Sequence, residues 1–130
     1  VMLIYLASPY SHPQMGVRTE RFEQVCRFTG EAMNAGFHVF SPGAMMRSVA
    51  LRCALPGDWT YWEEYDRKIL AVCGEMWVAC LPGWKESNGV GAELVIADQL
   101  RLPVRFFSAG VFNLAFATVA PESIMRLVSP

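Results

Sequence analysis

Pro82–Pro103 reads PGWKESNGVGAELVIADQLRLP, and the segments on either side take their places from it. Just before it, Glu75-Met76-Trp77-Val78-Ala79-Cys80-Leu81 is an apolar run of strand length that stops at the turn signal Pro82-Gly83. Ser87 or Asn88 then suits the N-cap of a helix beginning at about Gly89, with Val90, Leu94 and Ala97 on one face. Glu93 falls on or beside that apolar face, so its carboxylate is expected to point inward. A strand, a glycine-bearing turn and a helix N-terminus together offer free backbone N–H groups to an anion, and Gly89 and Gly91 allow close approach. Two readings fit this spacing. In one, SNGVG only connects strand to helix and Glu93 is a glutamate favoured by the helix dipole. In the other, the turn holds a phosphate or sugar, and Glu93 is a nucleophile or base at the carboxyl end of a parallel strand.

Working outward, Val1–Ala7 (VMLIYLA) is a continuous apolar run suited to a strand covered on both faces, and Ser8-Pro9-Tyr10-Ser11 ends it. Tyr10 thus sits just beyond a strand's carboxyl end, as a ligand contact or as a packed turn tyrosine. From about Met15 to Ala35, Phe22, Val25, Cys26, Thr29, Ala32 and Met33 follow helical spacing, and Gly36 is a natural stop. Phe37–Phe40 reads as a second strand, completing a parallel βαβ unit. Ser41–Asp58 has no clear period and is expected to be a loop whose methionines, Met45 and Met46, help wall an apolar pocket, core filling being the other use of Met. A helix follows from Asp58 or Thr60 to about Val72, with Trp62, Tyr65, Ile69 and Val72 as its buried stripe and Asp66 bordering that stripe or facing solvent. Val104–Phe107 supplies a fourth strand. Val111–Val128 is read as a strand or loop containing Asn113, then a helix from near Pro121-Glu122. The expected whole is one α/β domain over residues 1–130, a small doubly wound, Rossmann-like parallel sheet of four or five strands flanked by helices.

Composition narrows the classes. At 130 residues and 53% hydrophobic, the chain can fill one sizeable core. A net charge of −1 leaves no basic excess for a nucleic-acid polymer, although a single nucleotide remains open. Cys26, Cys53, Cys73 and Cys80 form no CxxC pair, and His12 and His38 have no metal-like partners, so reduced, mostly buried thiols of a cytoplasmic protein are expected, without metal. There is no signal peptide and no apolar run long enough to cross a membrane. The apolar surplus points to burial between subunits.

YLASPYS at Tyr5–Ser11, the helix bearing Asp66, and SNGVGAELVIADQLRLPV at Ser87–Val104 resemble the nucleoside 2-deoxyribosyltransferase superfamily over roughly residues 3–107. They are closest in motif to its 2′-deoxynucleoside 5′-phosphate N-hydrolases, with the pattern S-x-G-x-G-x-E. The resemblance implies an enzyme that cleaves an N-glycosidic bond without metal or organic cofactor, with Glu93 as nucleophile, Tyr10 orienting it and Asp66 assisting the leaving base. It also implies substrate contacts from Ser8, Ser87, Gly89 and Gly91, with Met45 and Arg18 beside them. Serine at position 87, where the transferases carry an aspartate, favours a nucleoside 5′-monophosphate and water as acceptor. Base exchange between nucleosides and a non-catalytic nucleotide sensor are the alternatives. The family completes its site with a residue from a neighbouring subunit, a position Asn113 resembles, so a homodimer or larger homo-oligomer is expected. Basic side chains for a phosphate are few: Arg18, Arg21, Arg47 and Lys85, with Arg18 and Arg21 nearest the SPYS turn.

Overall fold

Side-chain alternation along three strands divides the molecule into two cores. A computed structural model describes residues 2–118 of the chain. In strand β1 (Leu3–Ala7), Ile4 and Leu6 join one core while Tyr5 and Ala7 join the other. In β3 (Glu75–Cys80), Trp77 and Ala79 face the first core, and Met76 and Val78 face the second. Strand β4 (Val104–Ser108) repeats the division with Phe107 on one side and Val104 and Phe106 on the other. A sheet buried on both faces requires such two-sided apolar strands, and each fully buried large side chain contributes roughly 1.5–3 kcal/mol.

The first core is closed by helix α1 (Met15–Asn34), about 30 Å long at the usual rise, through Val25, Phe28 and Ala32. The periodicity anticipates this face except at its end, where Met33 is exposed and Phe28 fills the core. Strand β2 (His38–Phe40) pairs in parallel with β1. Ser41–Asp58, expected as a loop, is partly helical. Ser41 caps α2 (Pro42–Met45), its hydroxyl accepting from the Ala44 N–H at 3.3 Å, and α3 (Arg47–Arg52) follows. The second core is closed by α4 (Trp59–Leu70) and α5 (Asn88–Gln99). The stripe expected on α4 is corrected: Tyr65 and Val72 are exposed, whereas Asp66 and Leu70 are the buried positions. Contact with α5 turns the helix so that an acid, rather than a tyrosine, faces inward.

The sheet order is β2-β1-β3-β4-β5. The first four strands are parallel; the short β5 (Ala117–Thr118) is antiparallel to β4, so the sheet is mostly rather than wholly parallel. This is an α/β fold of the small Rossmann-like kind, with helices on both faces of a five-stranded sheet. The helix expected near Pro121-Glu122 lies outside the described residues. Of the four free cysteines, only Cys73 is buried, and Cys53 is exposed. Among the described residues no helix is long and apolar enough to cross a membrane.

The carboxyl ends of β1 and β3 are tied together by one buried cation. Arg21 of α1 donates to the carbonyls of Ser11 at 2.9 Å, Tyr10 at 3.4 Å and Pro82 at 3.0 Å. It thereby fastens the turn after β1 to the turn after β3. Gly83, at φ +86°, turns the chain beneath it, and a Cβ there would collide with the Arg21 guanidinium. Gly83→Ala is therefore expected to lower stability by about 1–3 kcal/mol, through left-handed strain and displacement of Arg21. Urea unfolding would measure the loss, and a variant as stable as wild type would refute the latch.

Candidate active site

The turns that follow β1, β2 and β3 and the inner faces of α4 and α5 surround a cavity of about 610 Å³. Its position outside the carboxyl ends of parallel strands is where open α/β sheets accept ligands. Glu93 and Asp66 both line it and are nearly buried, at 7% and 8% exposure. Glu93 reaches it because α5 buries Val90, Leu94 and Ala97 and carries the glutamate inward with them. Behind the two acids stands Tyr5, fully buried, whose hydroxyl donates a short hydrogen bond to Glu93 Oε2 and lies within hydrogen-bonding reach of Asp66. One side chain from a strand and one from each of two helices thus meet at a single point.

Their titration reflects that enclosure. Burial pushes the Glu93 carboxyl up to about 8, the Asp66 charge adding to the effect and the Tyr5 hydrogen bond opposing it. Burial raises Asp66 to about 6, again opposed by Tyr5. The phenol of Tyr5 is driven well above its ordinary value, first by burial and then by the Glu93 and Asp66 charges. Near neutral pH the two carboxyls therefore share one proton, and the pH values at which they titrate belong to the pair. Paired carboxyls held apart from solvent in this way are a recurrent arrangement for acid–base and nucleophilic chemistry.

Of the residues singled out from sequence, Glu93, Asp66, Ser8, Ser87, Gly89 and Tyr10 all line the cavity. Ser87 is the N-cap of α5, its Oγ accepting from the Val90 N–H at 3.2 Å. Asn88 and Gly89, the first two helical residues, have no intrahelical acceptor for their N–H groups. Ser8 sits close to α2 because Gly43 lacks a side chain; a Cβ there would lie 2.9 Å from Ser8 Oγ.

Four expectations are corrected. The tyrosine on Glu93 is Tyr5, not Tyr10, whose hydroxyl instead accepts from Arg47 Nε at 2.9 Å. The N–H of Gly91 is used inside α5, donating to the Ser87 carbonyl at 3.0 Å, and Gly91 does not line the cavity. Met45 is exposed and does not line the cavity, whereas Met46 does. Arg18 donates to the His12 and Pro13 carbonyls and, like Arg21, is consumed in holding the turn after β1. Asn113, expected to reach a neighbouring subunit's site, does not line its own chain's cavity, and its Oδ1 accepts from the Ala115 N–H at 3.0 Å.

Tyr5, Trp59 and Glu86 were missed. A signal for Tyr5 existed: strand parity sets it on the same sheet face as α4 and α5, and a buried phenol requires a polar partner. Arg47, one of the four basic candidates in the sequence, is the one basic side chain lining the cavity among the described residues.

Over residues 2–109 the sequence matches the family described as Domain of unknown function (DUF1937), and the chain belongs to that family. No curated protein matches it.

The buried acids make stability depend on pH with a definite sign. Unfolded, Glu93 and Asp66 would ionise near their ordinary 4.5 and 3.8; folded, they keep protons up to about 8 and about 6. The native state then binds more protons, so stability falls as pH rises through about 4 to 8 and levels off above. Glu93→Gln removes the larger part of this slope. The variant is expected to match wild type near pH 4.5 and to be more stable by roughly 2–4 kcal/mol at pH 8.5. Parallel stability curves for the two proteins across that range would contradict the burial of an ionisable Glu93.

Proposed function

We propose that the protein hydrolyses the N-glycosidic bond of a (deoxy)nucleoside 5′-monophosphate, releasing free base and sugar phosphate. The observation that carries this reading is the convergence of Glu93 and Asp66 on one cavity wall, with the Tyr5 hydroxyl behind them. Cleavage of such a bond develops positive charge on the sugar, which a carboxylate beneath the anomeric carbon can stabilise or trap.

In the first step a Glu93 oxygen bonds to the anomeric carbon as the carbon–nitrogen bond breaks. The bond's electrons leave with the base, and Asp66 supplies the base with a proton. In the second step Asp66, now ionised, takes a proton from water. The resulting oxygen nucleophile displaces Glu93 from the sugar and regenerates both carboxyls. Tyr5 is a positioning residue: its hydroxyl donates to Glu93 and favours the ionised form, opposing the burial that raises the carboxyl to about 8. The reactive state is the less populated form of the singly protonated pair, with the proton on Asp66 rather than on Glu93, where burial favours it.

Support for a 5′-phosphate comes from the α5 N-terminus. Ser87 keeps a hydroxyl hydrogen to donate, Asn88 and Gly89 offer N–H groups, and the helix dipole adds partial positive charge. One observation favours a second reading, in which the substrate is an unphosphorylated nucleoside and base exchange proceeds through the same covalent intermediate. The carboxylate of Glu86 lines the cavity beside Ser87, where it would repel a phosphate dianion. In either case the protein acts on small molecules in the cytoplasm as a homo-oligomer. Asn113, exposed between Val111 and Leu114, is the residue offered to a neighbour's site.

Incubation with a panel of nucleotides and nucleosides, followed by chromatographic separation of free bases, tests the proposal. Base release is expected to be highest between pH 6 and 8, the interval set by the two acids. Below it both acids are protonated and no carboxylate can attack; above it both are ionised and Asp66 has no proton to give. Asp66→Asn is expected to lose about 10²–10⁴-fold, and Glu93→Gln to lose measurable release while retaining binding. Tyr5→Phe should move both limbs of the pH profile upward, since the phenol favours the ionised form of each acid. Wild-type release by Glu93→Gln would sink the mechanism. A new nucleoside formed when a second base is supplied would establish base exchange.

A further inference from the structure

Arg47 stands apart from the other basic residues near the site. Its Cζ lies 4.5 Å from the Phe22 ring centroid and 5.4 Å from that of Tyr10, and its Nε donates to Tyr10 Oη at 2.9 Å. Two aromatic contacts and one hydrogen bond hold the guanidinium against the cavity wall. Among the described residues neither Nη nitrogen has a hydrogen-bond partner, and neither is buried. The side chain is thus positioned through Nε, with the Nη pair left to a ligand. No carboxylate of the cavity takes it, although Asp66, Glu86 and Glu93 line the same cavity.

The sheet order determines which part of a ligand meets that pair. Along the carboxyl edge, β1 lies between β2 and β3. Ser87 and Gly89 follow β3, Tyr5 on β1 holds Glu93, and Arg47 follows β2. A nucleoside unit with its 5′ end at the Ser87 turn and its anomeric carbon over Glu93 must extend its base toward β2. Neighbouring strands lie about 4.8 Å apart, so from β3 to β2 is roughly 10 Å. That is the reach of a nucleoside from its 5′ carbon to the far edge of a purine. Phe40, Met46 and Trp59 line the cavity as well and give the flat ring apolar surface to rest on.

Resting on the placement of the sugar over Glu93, we infer that Arg47 reads the base and selects a purine bearing oxygen at C6 over one bearing an amine. A 6-oxopurine presents two adjacent acceptors, N7 and O6, which match two parallel N–H donors. A 6-aminopurine presents N7 beside an amine, so one guanidinium N–H would face another N–H. A matched fork of this kind discriminates by about 10-fold or more.

The test is tryptophan fluorescence titration, with Trp59 and Trp62 as reporters in the cavity wall. It uses the Glu93→Gln variant, so that ligand is not consumed. The ligands are deoxyguanosine and deoxyadenosine, each with and without a 5′-phosphate. Guanine ligands are expected to bind about 10-fold more tightly than adenine ligands at both phosphorylation states. Arg47→Met should bring the guanine-to-adenine ratio to near one and leave the ratio of phosphorylated to unphosphorylated ligand unchanged. Arg47→Lys, which keeps the charge but not the fork, should likewise lose the base preference, and circular dichroism of both variants establishes that they are folded. The inference is overturned by an absence of binding, by a base preference indifferent to both substitutions, or by loss of phosphate preference alone. That last result would make Arg47 the phosphate's partner. Base preference with no base release by the wild-type protein would sink the proposed hydrolysis while leaving the assignment of Arg47 standing.

Discussion

A single phenol hydroxyl placed between two carboxyls sets the terms for the rest of this structure. Taking two acids out of water is unfavourable by several kcal/mol for each ion unless they are protonated or well hydrogen-bonded. Tyr5 can offer one hydrogen to Glu93 and Asp66, so one more proton must be kept near neutral pH, and Glu93 and Asp66 hold it between them. Every surrounding element serves that enclosure. Strand parity turns Tyr5 toward α4 and α5, the apolar face of α5 carries Glu93 inward, and α4 rotates until Asp66 rather than Tyr65 is buried. An ordinary core would place aliphatic side chains at these three positions and gain stability. Burying acids at positions where aliphatic side chains would be more stabilising is the structural mark of a site.

Much of this architecture could be read directly from residues. Continuous apolar runs at Val1–Ala7 and Glu75–Leu81 announce strands covered on both faces, and Ser87 announces the start of α5. The inward direction of Glu93 follows from its spacing to Val90, Leu94 and Ala97. What could not be read depended on contacts between distant segments. The stripe on α4 was misplaced because Trp62, Tyr65, Ile69 and Val72 are apolar at helical spacing, yet packing against α5 selects the neighbouring face. The family resemblance implies Tyr10 as the partner of Glu93, since Tyr10 is the tyrosine just beyond the first strand's end. Tyr5 was hidden within an apolar run, where its hydroxyl attracts no attention until parity is followed along the strand.

The arginines show the same division between local and distant information. Arg18 and Arg21 lie near the turn after β1 in sequence, which made them natural phosphate ligands. In the fold that nearness means their charge is consumed by backbone carbonyls of the turn itself. Arg47 is far from the turn in sequence and is brought to it by α2 and α3, leaving its Nη groups open to the cavity. Gly83 and Gly43 are the positions where a missing side chain makes these arrangements possible, one beneath Arg21 and the other beside Ser8.

The distribution of charge around the cavity gives the two ends different tasks. At the β3 end, Ser87 and the α5 N-terminus offer neutral donors with Glu86 alongside, an environment that suits hydroxyl groups and limits how much negative charge can settle there. At the β2 end, one anchored cation stands among flat apolar side chains and suits a ring with acceptors on its edge. Between them the two acids hold a single proton, so the middle of the cavity can supply a negative oxygen and a proton within the same bound complex. A cavity that were uniformly acidic would hold a cation, and one that were uniformly basic would hold an anion. The graded arrangement instead favours a ligand that is itself graded, with hydroxyl or phosphate oxygens at one end, able to develop positive charge at its centre, and flat with lone pairs at the other.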